Sequence, residues 1–354
     1  MINFNAQFGK MIQSKFVNES IVAGKLSNEY DFTGAKTVKV LTPTTIPMTD
    51  YTREGATRYG SPVEMQDVVQ ELTLTQDKSF AMTVDKGNFD DGMFLKNATK
   101  MLALQISERA IPEMDRYVIG KLAQSAGTIV GSATAVSATN ICSLISAGTK
   151  QLDDAEVPNN DRTLFLSADS YALLKHSDEF LAVESLARDA LRKGIVGRYD
   201  NMEVVKVPKN RWPLYCNFMI VHKNAAVAPV KISDTNVHEN PPGISGSLIE
   251  GRQYYDLFVY GVKCDGVYAH VDTGTGKGVV VAAPTIAISG GALACATAGA
   301  TVKYTTDGTD PRHSTSAKTG TVSDITAAGT KVKAYAFKAG DGIYPSAVTA
   351  ATLV

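Results

Sequence analysis

The sequence is poor in the groups that bond-making chemistry and metal binding require. Its five histidines, His176, His222, His238, His270 and His313, fall in no H-E-x-x-H or comparable spacing, so the common zinc-hydrolase pattern is excluded. The four cysteines, Cys142, Cys216, Cys264 and Cys295, lie far apart and form no C-x-x-C pair. That excludes a zinc knuckle and a dithiol redox motif; they read as buried small hydrophobes, with a disulfide left open. Charge of one sign is lacking too. With 35 Lys and Arg against 36 Asp and Glu, the net charge is −1, and nothing favours tight binding to nucleic acid or to an acidic membrane. No stretch reaches the roughly 18 apolar residues that span a bilayer. The first residues carry no charged segment followed by an apolar run, so the expectation is a chain made and kept in a cytoplasm.

Motifs that hint at chemistry fail on inspection. Ser245 lacks a G-x-S-x-G frame because Ser247 stands where the second glycine belongs. Gly274-Thr-Gly-Lys277 resembles part of a phosphate loop, but Val271 occupies the place of the first glycine and Gly278 that of the Ser/Thr. Asp307 and Asp310 are two carboxylates where a calcium loop needs about six oxygens, and turn chemistry explains them. Adjacent acids at Asp90-Asp91 and Asp153-Asp154 read as helix caps rather than an acid/base pair. No catalytic residue, metal ligand or cofactor site is expected.

What the chain does hold is 354 residues of ordinary globular composition, 44% hydrophobic and 20% charged, enough for one large unit and one small one. Residues 1 to about 50 are polar and punctuated by Gly34, Pro43 and Pro47, and read as an extended arm with a short strand over 37–41. Over 64–86, Leu72, Leu74, Phe80, Met82 and Val84 alternate with polar or small residues on either side of Gln76 to Ser79, which reads as a long β-hairpin. A two-stranded ribbon is marginal alone in water, and the pattern leaves open whether it packs on its own domain or on another chain. Apolar residues from Phe94 to Leu122 then recur at helical spacing, with Pro112 predicting a kink or restart. Helices over 141–155, 170–176 and 181–193 alternate with strands over 163–167, 202–207 and 217–222. A Pro/Gly/Ser-rich excursion at 240–247 precedes a partly alternating run from Tyr254 to Val271.

These segments, in this order, resemble the major capsid proteins of tailed phages with the HK97-type fold. The resemblance is carried by Leu152-Asp-Asp-Ala-Glu-Val-Pro158, by the Arg162-led strand and helix running to Phe180, by Gly194-Ile-Val-Gly-Arg198 before Met202-Glu-Val-Val205, and by Tyr254 to Tyr268. It implies an α+β fold over 1–275: an N-arm (1–50), an extended loop (about 51–88), a spine helix (about 92–125), a central domain (about 140–250) and closing strands (252–272). It also implies self-assembly into hexamers and pentamers of an icosahedral virion shell, weak non-specific contact with packaged DNA, a portal, and no membrane. The chain starts at Met1 without the long charged helical prefix of some relatives, so a separate scaffolding protein is expected. Arg53, Arg58, Leu72, Leu74, Phe80 and Met82 are the candidate inter-subunit contacts, and Lys39 could pair with acids on a neighbour. An encapsulin-like compartment shell shares the implied fold and differs in its cargo.

After a linker over 272–283, residues 284–354 read as a small all-β unit. Val302-Lys-Tyr-Thr-Thr-Asp-Gly-Thr-Asp-Pro311 runs into a tight turn at Asp307-Gly308, and a second alternating strand covers Thr330 to Phe337. Together with the terminal stretch from Ser346, these residues are similar to the immunoglobulin-like repeats at the C-termini of chitobiases and related glycosidases. The implied unit is an immunoglobulin-like sandwich on the outer surface, with Tyr304, Tyr335 and Tyr344 as candidate faces for host-surface glycans. A carbohydrate-binding or glycosidase-accessory protein is the competing reading, although no carboxylate pair proposes glycoside cleavage.

Overall fold

A computed structural model describes residues 20–353 apart from 28, 30–35, 44–47, 55–57, 61, 63, 65–66, 88–97, 178–196, 289–291 and 321–328. The body is built on a mixed six-stranded sheet in the order Thr128–Ser132, Val267–Asp272, Cys216–His222, Arg162–Ser167, Met202–Val207, Arg198–Tyr199. All six residues of Arg162–Ser167 are buried, because both faces of the sheet are covered. Phe165, Met219, Val221, Val267, Ala269 and Val271 meet Val118, Ile119 and Leu122 of the helix Ile111–Gln124. Their neighbours Leu164, Leu166, Phe218, Ile220 and Tyr268 meet Ile141, Ile145 and Leu152 of the helix Ile141–Asp154. Two covered faces explain why these strands read as unbroken apolar runs rather than alternating ones.

The long helix comes in three parts: Ala98–Gln105, a π-helical turn over Ile106–Ala110, and Ile111–Gln124. The expected break at Pro112 takes this form. Proline cannot donate an amide hydrogen bond and its ring crowds the preceding turn, so the wider π turn ahead of it leaves Pro112 in the first turn of the final part. The helix at 141–155, the short helix Ala168–Lys175 and the strands over 162–167, 202–207 and 216–222 match the sequence expectation closely. The expected helix over 181–193, the Asp90-Asp91 cap and most of Gly194–Arg198 lie outside the described residues.

Three expectations are corrected. The 64–86 segment is not a hairpin: Asp67–Thr73 pairs antiparallel with Thr37–Pro43, whereas Gln76–Asp85 pairs with Gly246–Tyr255, itself paired with Val230–Glu239. Asp256 sets the break between the two strands, for its carboxylate accepts from both the amide and the hydroxyl of Thr75 at 2.9 and 2.8 Å. The closing strands do not pair with each other either. Gly246–Tyr255 belongs to the three-stranded ribbon, while Val267–Asp272 sits between Thr128–Ser132 and Cys216–His222 in the central sheet. Finally, part of the expected arm folds onto its own body. Val22 and Leu26 join the core around Val118 and Trp212, and Ser27 N donates to Ala226 O at 3.0 Å.

The C-terminal region is all β: a four-stranded sheet in the order Lys318–Thr319, Thr301–Thr305, Lys331–Phe337, Thr349–Thr352, with smaller pairs beside it. Its core is Val281, Leu293, Val302, Ala334 and Ala336. The segment expected as linker carries the short strand Val279–Val280, which runs parallel to Ile343–Tyr344, so the β unit takes in residues before Pro284. All four cysteines are free.

Candidate assembly surfaces

The hairpin that precedes the long helix is the Thr37–Pro43 and Asp67–Thr73 ladder, and the described residues 48–54 and 58–60 at its tip lie between the two strands. Its base is anchored. Leu72 and Leu74, each 1% exposed, pack with Val40, Val227 and Tyr260, and Gln70 bridges to Val259 O and Gly261 N at 2.9 Å. Leu72 and Leu74 are thereby corrected as inter-subunit contacts, since their surface is spent inside their own chain. Lys39 pairs across the ladder with Glu71 at 2.9 Å, as their directly opposed register requires.

The tip presents the opposite character. Thr52 N donates to Arg58 O at 3.1 Å, and the residues flanking that bond, Tyr51 and Tyr59, meet edge to face at a centroid distance of 5.1 Å. Tyr59 is 86% exposed and Met48 fully exposed; Arg53 and Arg58 are exposed beside them. A loop that holds two tyrosines, two arginines and a methionine in water, away from any core of its own chain, has the composition of an interface hot spot.

The three-stranded ribbon is the second surface. No residue of Gln76–Asp85 is buried. Phe80 and Met82, both candidates from the sequence, are half-buried opposite Gly251 and Ile249. The Phe80 ring lies over Gly251 so closely that a Cβ there would come within 2.3 Å of it, so the glycine provides the seat for the ring. Arg252 of the middle strand donates to Asp77 of the outer strand Gln76–Asp85 through bonds of 3.0 and 2.6 Å.

At the ribbon's base the Asp256 side chain is fully buried and accepts from Lys121 Nζ, from Tyr117 Oη at 2.7 Å and from Leu257 N at 2.7 Å, besides Thr75. Burial opposes its ionisation, but hydrogen bonds from Lys121, Tyr117 and Thr75 and the Lys121 charge outweigh it and hold the carboxyl below the usual range. The ribbon is thus pinned to the long helix by a charge-assisted network.

The tyrosines proposed for glycan contact do not form a platform. Tyr344 is 2% exposed and packs in the main body's core with its hydroxyl donating to Leu214 O at 2.6 Å. Tyr335 is buried, stacked on Phe337 at 5.7 Å, and Tyr304 packs against the core of the β unit. Asp307 and Asp310 serve turns: Asp307 accepts from Thr309 N and Oγ1 and from Ser316 Oγ, and Asp310 binds Arg312. Among the described residues no group of three or more His, Cys, Asp or Glu could hold a metal ion, and no helix is long and apolar enough to cross a membrane.

His313 sits where the β unit meets the Gly261–Gly266 turn, so close that a Cβ on Gly261 would lie 2.9 Å from its own Cβ. Burial pushes its imidazole down to about 4; Asp310 opposes the shift and Arg312 adds to it. The folded protein therefore holds His313 neutral where the unfolded chain, with a value near 6.5, is protonated. Stability falls as pH drops from about 6.5 to about 4, by on the order of 3 kcal/mol in all. Urea unfolding midpoints at pH 7 and pH 5 should differ accordingly, and His313→Gln should flatten that part of the profile.

Comparison with solved structures bears on the fold. A structure from Mycobacterium phage Che8 superposes with a TM-score of 0.64 at 20% identity, covering 78% of this chain and 100% of the other. The capsid structure of cyanophage P-SCSP1u gives 0.63 at 13% identity, covering 77% and 94%. The mature capsid of bacteriophage PhiM1 gives 0.61 at 14% identity, covering 77% and 92%. Residues 291–349 match the family model of the chitobiase/beta-hexosaminidase C-terminal domain. Comparison with curated proteins found no match. The chain has the HK97-type fold seen in phage capsid structures, and its all-β C-terminal region is similar to the chitobiase/beta-hexosaminidase C-terminal domain.

The sequence reading missed Tyr51 and Tyr59. Their near-symmetric placement about the tip was the available signal. It missed Arg312 altogether, for which no local pattern exists.

Proposed function

We propose that this chain is the major capsid protein of a tailed phage, assembling as hexamers and pentamers into an icosahedral head around DNA, with the C-terminal domain outside. The observation that carries the reading is coverage: the matched region takes in 94% of the P-SCSP1u capsid chain and 92% of the PhiM1 capsid chain, so nearly all of each has a counterpart here. The exposed tyrosine-arginine tip supports it, because its burial requires a second molecule. The role is structural rather than enzymatic, and the shell is built in the host cytoplasm with a scaffolding protein and a portal. A net charge of −1 fits loose, non-specific contact with the enclosed DNA.

Expressed alone or with a scaffold, the protein should sediment as capsomers or shells and show closed particles in electron micrographs. A monomer that persists at high concentration under both conditions would overturn the proposal. Particles filled with an enzyme in place of nucleic acid would favour the compartment-shell reading.

A further inference from the structure

We infer that the C-terminal β domain acts as an intramolecular clamp, holding the C-terminal end of the long helix and the outermost strand of the central sheet rather than hanging from a linker as a displayed module. Three contacts carry this. Arg312, with only 10% of its side chain exposed, donates from Nη1 to Ala126 O at 3.1 Å and Gly127 O at 2.9 Å, and from Nη2 to Cys264 Sγ at 3.3 Å. The two carbonyls lie just past the end of Ile111–Gln124 and its C-cap Ser125, on the side where the helix dipole is negative. Asp310 holds the guanidinium in place from behind at 2.7 Å. One side chain of the β domain thereby ties the helix end to the Gly261–Gly266 turn.

The second contact covers a face of the outermost sheet strand. Val280 packs against Gly131 of Thr128–Ser132, near enough that a Cβ on Gly131 would meet it at 3.1 Å. That strand is the outermost of the central sheet, with a neighbouring strand on one side only to hold it. The third contact is Tyr344, which completes the apolar cluster containing Trp212, Cys216 and Val271. Gly342, at φ +72°, lies against the Tyr215 ring where no side chain would fit. A domain held only by its linker would have no reason to bury an arginine on another domain's carbonyls or to supply a tyrosine to its core.

The clamp does not depend on the shell reading, because every contact is within one molecule. Two experiments test it on the full chain. Hydrogen exchange should show residues 125–132 and 261–266 opening about tenfold faster in Arg312→Ala than in the parent, with Arg312→Lys intermediate because a single ammonium cannot reach the two carbonyls and the Cys264 sulfur together. Faster exchange confined to the β domain would overturn the inference. Should Arg312→Ala fail to fold, a protease site placed between Thr275 and Gly276, in the exposed turn after Asp272, keeps the question open to measurement. After cleavage the C-terminal piece should stay bound to the body through gel filtration, and its release from a body that remains folded would also overturn the inference.

Discussion

Replacing Tyr51 and Tyr59 together by alanine should abolish shell formation while leaving the subunit folded. The two rings pack edge to face between the strands of the Thr37–Pro43 and Asp67–Thr73 ladder, with Tyr51 52% and Tyr59 86% exposed. Truncating exposed side chains shifts folding stability by only about 0.5 kcal/mol either way. At an interface, buried tyrosines commonly cost about 2 kcal/mol or more each when truncated, which is about 30-fold per contact, and a closed shell repeats the contact at every subunit. Sedimentation velocity should therefore show the particle peak replaced by small species, with an unchanged circular dichroism melt. Normal particles from the double variant would remove the tip from the assembly mechanism.

Arg211→Ala should cost about 3–5 kcal/mol of stability, because it leaves a buried carboxylate without its partner. Asp115 is wholly buried in the helix Ile111–Gln124 and Arg211 is 3% exposed, with Nη1 at 2.8 Å from Oδ2. The same carboxylate accepts from Ser20 Oγ at 2.8 Å and Ile21 N at 2.9 Å. It thus joins three remote pieces of chain: the inner end of the N-terminal arm, the long helix and the turn at 209–211. Denaturant titration should place Arg211→Ala well below the parent, and Asp115→Leu with Arg211→Met should recover much of the loss by removing both charges. Equal destabilisation in the single and double variants would mean that packing volume, not the uncompensated charge, sets the cost.

Particular residues show how far the sequence could be read. Helical spacing from Met101 to Leu122, the Pro112 irregularity, and the strand-helix order over 141–175 and 202–222 were legible, since each depends on local periodicity and on the stereochemistry of one residue. The 64–86 segment was misread for the opposite reason. Two alternating strands in tandem have the same pattern whether they pair with each other or not, and the partner of Gln76–Asp85 lies at Gly246–Tyr255. Burial of Leu72 and Leu74 was visible as hydrophobicity, but not whose core receives them. The glycan reading failed similarly: an aromatic residue on a strand shows neither which face is covered nor what covers it. At Tyr344 the cover is the other domain.

The amino-acid sequence by itself determined the fold class, the order of its elements and the presence of a distinct C-terminal β unit, because backbone stereochemistry and apolar periodicity act within a few residues of each position. Only the tertiary structure decided that Asp67–Thr73 and Gln76–Asp85 part company, that Asp115 and Asp256 lie at buried junctions, and that Arg312 grips Ala126 and Gly127. Those choices join residues 24 to 186 positions apart. They are made by competition among all the hydrogen-bonding edges and apolar faces of the folded chain, which no local stretch encodes.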